Sequence, residues 1–153
     1  MTTQHSPTRR NGGFTLIEVL VALVVFSIGV LTLVDLQATS TRMATDARDR
    51  VLATFLADQL LARMLIADPT TAATFAHQAT GTAACEPSGA ASANTIVTAW
   101  LTEVAQNLPN AASTRQQIVV NALTAEVTVR LCWRNGSDPD RSLSVTNQVQ
   151  WQL

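Results

Sequence analysis

One stretch constrains this chain more than any other. From Phe14 to Val34, 16 of 21 residues are apolar, and the single charge among them is Glu18. At about 1.5 Å per residue, a helix of that length spans about 30 Å, the thickness of a bilayer's hydrocarbon core. The run follows a polar leader, residues 1–13, that holds Arg9 and Arg10 and no acid. After it come Asp35, Arg42, Asp46, Arg48, Asp49 and Arg50, whose charges nearly cancel. The excess of positive charge ahead of the run sets the leader in the cytoplasm and the C-terminal part across the membrane.

Glu18 needs a reason to be there. On insertion scales a charge inside a spanning helix costs about 3 kcal/mol. One reason is local: near a helix N-terminus a carboxylate meets unsatisfied N–H groups and the positive end of the dipole. The other is cleavage. A cut after Gly13 would give Phe14 a new cationic amine, four residues from Glu18, and the carboxylate could pair with that amine in its own chain or in a neighbour's. The plainer readings are a secretory signal and an uncleaved single-pass anchor. A secretory signal has an apolar core of about 7 to 15 residues and then a small-x-small cleavage site. Here the run is longer and is followed by Asp35-Leu36-Gln37-Ala38-Thr39, a weak cleavage context.

Gly13-Phe14-Thr15-Leu16-Ile17-Glu18, followed by Val19-Leu20-Val21-Ala22-Leu23, resembles the type IV prepilin signature. The resemblance implies that a membrane-embedded prepilin peptidase cuts between Gly13 and Phe14 and methylates the new N-terminal Phe14. It also implies that Glu18, at mature position five, contacts an adjacent subunit's amine during filament assembly. Gly12 departs from the pattern, since a basic residue often precedes the cleavage glycine. A cut after Gly12 would displace Glu18 to mature position six, so Gly13 is the assigned site.

Beyond Val34 the apolar pattern becomes periodic. Met43, Ala47, Val51 and Phe55 form one row at four-residue steps, and Leu52, Leu56, Leu60 and Met64 form a second beside it. This is the stripe of an amphipathic helix. No proline interrupts until Asp68-Pro69, which ends the helix. The sequence thus predicts one helix over residues 14–67, about 80 Å long, with residues 14–34 transmembrane and the rest amphipathic. Gly29 and the hydroxyls of Thr15, Ser27 and Thr32 either let helices approach closely in the membrane or are tolerated small residues. Major pilins usually carry a kinking proline where this chain has Asp35. The segment Leu52–Met64 and the pair Leu36-Gln37 instead resemble the minor pilins called PilV; the likeness covers residues 13 to about 68 well and the remainder weakly.

Residues 68–153 read as a globular domain, periplasmic on the charge argument. Thr70–Asn94 is rich in Ala, Thr, Ser and Gly and reads as an extended loop. Val97, Trp100, Leu101, Val104 and Leu108 follow helical spacing, so Ala93–Asn107 is a short second helix that Pro109 stops. Trp100 reads as core rather than as a ligand platform. Three strands follow: Gln117–Asn121, Glu126–Arg134 and Ser144–Leu153. The second puts Val127, Val129, Leu131 and Trp133 on one face, and the third does the same with Val145, Val149, Trp151 and Leu153. Asn135–Asp140 is the turn between them. The fold class is therefore α+β: a long N-terminal helix packed against a small antiparallel sheet, as in type IV pilins.

Cys85 and Cys132 are the only cysteines. Beyond the membrane, in an oxidising compartment, an even count favours a Cys85–Cys132 disulfide over two buried free thiols. The bond would pin the long loop across the face opposite Trp133. His5 and His77 complete the soft ligands, and no zinc spacing can be built from these four residues. No metal site, cofactor or catalytic residue is assigned, and a Cys–His pair using His77 lacks an oriented base or an oxyanion motif. A net charge of −1 with scattered arginines gives no nucleic-acid footprint.

The resemblance implies a minor pilin, not an enzyme but a substrate of one. Its partners would be prepilin peptidase, other minor pilins, the major pilin and the assembly machinery of the inner membrane. Its place would be the inner membrane, then the pilus, with effects on attachment and twitching motility. The alternative is a minor pseudopilin of a type II secretion system, whose leader and helix look almost the same; a DNA-uptake pseudopilin is a variant of it.

Overall fold

The computed structural model describes residues 13–149. The chain divides into two compact units, residues 1–44 and 45–153. The elements are helix α1 (Leu16–Leu65), helix α2 (Thr95–Asn107) and strands β1 (Gln117–Asn121), β2 (Glu126–Trp133) and β3 (Arg141–Gln148), with short 3-10 helices at Pro69–Phe75 and Ser113–Arg115. α1 is slightly shorter than the 14–67 expected, because Thr15 ends up as its cap and Ala67 bonds back to Met64 O in a closing turn.

From Leu16 to Val34 α1 is apolar on every side except at Glu18, and its side chains there are exposed. Ser27 Oγ donates to Leu23 O at 2.7 Å and Thr32 Oγ1 to Ile28 O at 3.0 Å. These hydroxyls are satisfied within their own helix, which removes the cost of placing them in hydrocarbon. A Cβ on Gly29 would meet nothing within 4 Å.

The second unit is built around the C-terminal part of α1. Its buried stripe is Ala53, Leu56, Ala57, Leu60, Leu61 and Met64. This corrects the two-row reading. Leu56, Leu60 and Met64 are buried with Leu52 half-buried, whereas Met43, Ala47, Val51 and Phe55 are exposed. The inward face is instead completed by the fully buried alanines at 53 and 57, which flank the point on α1 that the Trp100 side chain reaches. The sheet has the order β1-β2-β3, all antiparallel. Val127, Val129, Leu131 and Trp133 form the core face of β2, as the alternation predicted, and join the α1 stripe in one cluster with Phe75, Val97, Trp100, Val104 and Ile118. Trp100 is fully buried, and its Nε1 donates to Leu56 O at 2.8 Å, tying α2 to α1. Arg63 and Gln59 of α1 both reach Glu103 of α2, and Arg141 of β3 meets Asp46 at 2.7 Å.

Element ends moved for local reasons. α2 starts at Thr95 rather than Ala93 because Asn94 Oδ1 accepts from Ile96 N at 2.9 Å, an N-cap. β2 ends at Trp133, one residue short of the expected Arg134, whose amide bonds to Pro109 O instead. β3 runs over Arg141–Gln148 rather than 144–153, since Trp133 still finds a partner in Arg141. Leu143 and Val145 are half-buried on its core side and Val149 is buried just beyond it; Trp151 and Leu153 lie outside the described residues.

Thr70–Asn94 is not the plain extended loop expected. It opens with the 3-10 helix Pro69–Phe75, whose cap Asp68 accepts from Thr70 N and Thr70 Oγ1. The Thr70 hydroxyl first, and its amide second, hold the Asp68 carboxyl below its ordinary value. That cap is complete above the ordinary carboxylate range and is lost as pH falls through the lowered value. Phe75 is buried in the core, and His77 pairs with Ile118 across the edge of β1. The composition concealed this because the anchoring residues are few and widely spaced.

Two neighbouring glutamines finish the sheet. β1 pairs with β2 only as far as Arg130, leaving the backbone of Cys132 without a strand partner on that side. Gln116 supplies one: its Oε1 accepts from Cys132 N at 2.8 Å and its Nε2 donates to Cys132 O at 2.9 Å, and also to Ala112 O. Gln117 Nε2 donates to the carbonyls of Gln78, Thr80 and Gly81, while its Oε1 accepts from Arg130. Cys85 and Cys132 are joined in a disulfide with Cα atoms 5.5 Å apart and a sequence separation of 47. The loop is thus held to the outer face of the sheet by one covalent bond and one amide.

Gln116→Ala would leave both Cys132 backbone groups without a partner in a fully buried place and should destabilise the second unit by about 3 kcal/mol, read as a lower midpoint in urea denaturation of the detergent-solubilised chain. Cys85→Ser with Cys132→Ala should cost about 4 kcal/mol on the chain-entropy account for a loop of this size. The wild type should lose a similar amount when fully reduced.

Candidate functional site

The site lies at the start of α1. Thr15 O accepts from Glu18 N at 3.1 Å and from Val19 N at 3.3 Å, so the first helical turn closes on Thr15. Glu18 therefore stands in the first turn of α1, three residues after Thr15. There a carboxylate faces the positive end of the helix dipole and the amides that have no intrahelical acceptor. Thr15-x-x-Glu18 has the spacing of a capping box. That spacing is legible in the sequence and uses two residues of the prepilin pattern itself, Thr15 and Glu18.

Phe14, Glu18, Ala22 and Phe26 follow at four-residue steps and line one shallow groove with Val19 and Leu23. Glu18 is the only acid and the only ionisable group in that groove. Phe14 is 82% exposed and Gly13, just ahead of it, has open space around it. The geometry brings Gly13, Phe14 and Glu18 together at one helix end, with an extended, unobstructed backbone where the helix begins. A carboxylate flanked by phenyl rings and aliphatic side chains attracts a cation strongly once water is excluded. Gly12, Arg9 and Arg10 of the expected leader lie outside the described residues.

Cys85 and Cys132 are remote from this end in sequence and are bound to each other, so they supply no thiol chemistry. Among the described residues, no group of three or more His, Cys, Asp or Glu side chains is placed to hold a metal ion. α1 is also the one helix among the described residues that is long and apolar enough to cross a membrane.

Comparison with known families bears on this same end. Residues 8–34 match the family model described as the prokaryotic N-terminal methylation motif. Nothing matches among curated proteins, and nothing among solved structures. The match spans Arg9, Arg10, Gly13, Phe14, Glu18 and the whole apolar run. An apolar helix at this place, carrying this motif, indicates anchoring in the inner membrane. With the long helix packed on a small antiparallel sheet, the methylation motif indicates a protein of the type IV pilin or pseudopilin kind.

Proposed function

We propose that this protein is a minor type IV pilin resembling PilV, cut between Gly13 and Phe14 by prepilin peptidase, methylated on Phe14 and built into a pilus. The single observation that carries the proposal is the methylation motif lying on a helix whose only charge in the apolar run is Glu18, in the first turn beside Phe14. The protein's work is physical rather than catalytic. The apolar part of α1 holds the subunit in the inner membrane, with the second unit on the periplasmic side. Leaving the bilayer is offset when the apolar helix is covered by helices of other pilins. Glu18 fixes the register of that packing by meeting a neighbour's Phe14 amine, because an uncompensated charge buried there costs several kcal/mol.

The exposed side of α1 supports this reading. In the second unit Val51 and Phe55 are exposed although they are large and apolar, as suits a helix with a further helix still to meet. The disulfide agrees with an oxidising compartment for residues 85 and 132. The absence of a kinking proline at Asp35 and the Leu52–Met64 segment favour a minor subunit over a major one. Such a subunit would act with other minor pilins in priming assembly, with consequences for attachment and twitching motility. The second reading, a minor pseudopilin of a type II secretion system, shares the motif and the helix. It is separated by function: deletion should abolish piliation in one case and protein secretion in the other.

Intact mass and N-terminal sequencing of membrane-extracted protein should give a chain that begins at methylated Phe14. A chain that begins at Met1 would return the protein to the plain-anchor reading. Gly13→Arg should leave the precursor uncut, visible as a band larger by the leader. Glu18→Ala should be cut normally yet be depleted from sheared pili; wild-type amounts of that variant in pili would show that the carboxylate does not set register.

A further inference from the structure

His77 is buried, only 3% exposed, and lies outside everything described for the N-terminal end. Both of its ring nitrogens are engaged by backbone. Nδ1 accepts from Ser92 N at 3.1 Å, and Nε2 lies 2.9 Å from Ser113 O, to which it donates. A ring nitrogen that accepts an amide proton carries none of its own, so this arrangement exists only for the neutral imidazole with its proton on Nε2. A second proton, on Nδ1, would point at the Ser92 N–H and expel it.

Ser92 is the junction of its neighbourhood. Its Oγ donates to Thr74 O at 2.6 Å and accepts from Asn94 N at 3.2 Å. Asn94 caps α2 and donates from its Nδ2 to Thr74 Oγ1. Release of Ser92 therefore loosens the segment that leads into α2.

Nothing nearby would hold the imidazolium in place. The hollow beside His77 is lined by Ser92, Thr98, Leu101, Thr102 and Ser113 among others, none of them charged. The charged groups on the elements packed around it are engaged elsewhere. Glu103 of α2 meets Gln59 and Arg63, and Arg115 of the Ser113–Arg115 turn meets Asp140 at 2.6 Å. β1 has no ionisable side chain, and Arg130 beside it is bonded to Gln117.

We infer that His77 is a proton-operated latch: neutral, it clamps Ser92 and Ser113 against β1; protonated, it releases Ser92 and loosens residues 91–94, while Ser88 and Ala90 stay tied to Thr80 and Gln78. The test is amide hydrogen exchange, followed by NMR on the full chain in detergent micelles across the pH range in which imidazole takes a second proton. The Ser92 protection factor, corrected for intrinsic exchange, should be constant at high pH. It should then fall about tenfold per pH unit once the open form is protonated. His77→Asn keeps an acceptor oxygen near the Nδ1 position but does not titrate, and it should abolish the fall. Persistence of the fall in that variant would overturn the latch.

Should the variant fail to fold, the wild type still decides. Its imidazole nitrogens should report the Nε2–H tautomer at neutral pH and titrate together with the loss of Ser92 protection. Protonation of the ring with Ser92 still protected would overturn the inference.

Discussion

The structure depends on one helix meeting two different solvents. Nothing in α1's backbone marks the change; the side chains do. From Leu16 to Val34 the helix is apolar all round except at Glu18, and the hydroxyls of Ser27 and Thr32 turn back to carbonyls of their own helix. Beyond Thr45 the helix carries charge on one side and a narrow apolar stripe on the other. The polar cross-ties begin where the second unit begins: Asp46 to Arg141, Asp49 to Asn135, then Gln59 and Arg63 to Glu103. The half-exposed ion pairs contribute little each. Their use is to fix which way the stripe faces, so that Leu56, Leu60 and Met64 meet β2 and α2 rather than water.

What could be read from the sequence was whatever depends on periodicity. The alternation Val127, Val129, Leu131, Trp133 gave β2 its core face, and the spacing Val97, Trp100, Leu101, Val104 gave α2 its own. The start of α1 could be read because helix entry, charge and glycine fall within six residues, 13–18. The α1 stripe was harder. Hydrophobicity alone chose Val51 and Phe55, which are exposed, over Ala53 and Ala57, which are fully buried. The Trp100 indole reaches the α1 backbone at Leu56 O, between the two alanines, and which side chain arrives there is a property of the packed pair rather than of either segment.

The polar interior was not legible at all. Gln116 and Gln117 look like surface residues by type, yet they are 0% and 2% exposed. Their burial is tolerable because each amide meets backbone groups that would otherwise be unpaired, and such groups cannot be seen before the strands are in register. His77, which by type suits a metal ligand or a catalytic base, is instead bonded to backbone through both ring nitrogens. The order of the loop from Thr70 to Asn94 is hidden for the same reason: it comes from Phe75, His77, Cys85 and Ser92, four residues spread over 18 positions.

The burial of Cys132 sets an order of events. Its side chain has no exposed surface in the finished fold, and β2 is covered on the core side by α1 and on the other by the 77–90 segment. Thiol oxidation and exchange need a reachable thiolate. An oxidant can therefore reach Cys132 only while that segment is still undocked from the sheet. Docking of that segment and closure of the disulfide are therefore coupled, and the second unit is completed only where an oxidant is at hand.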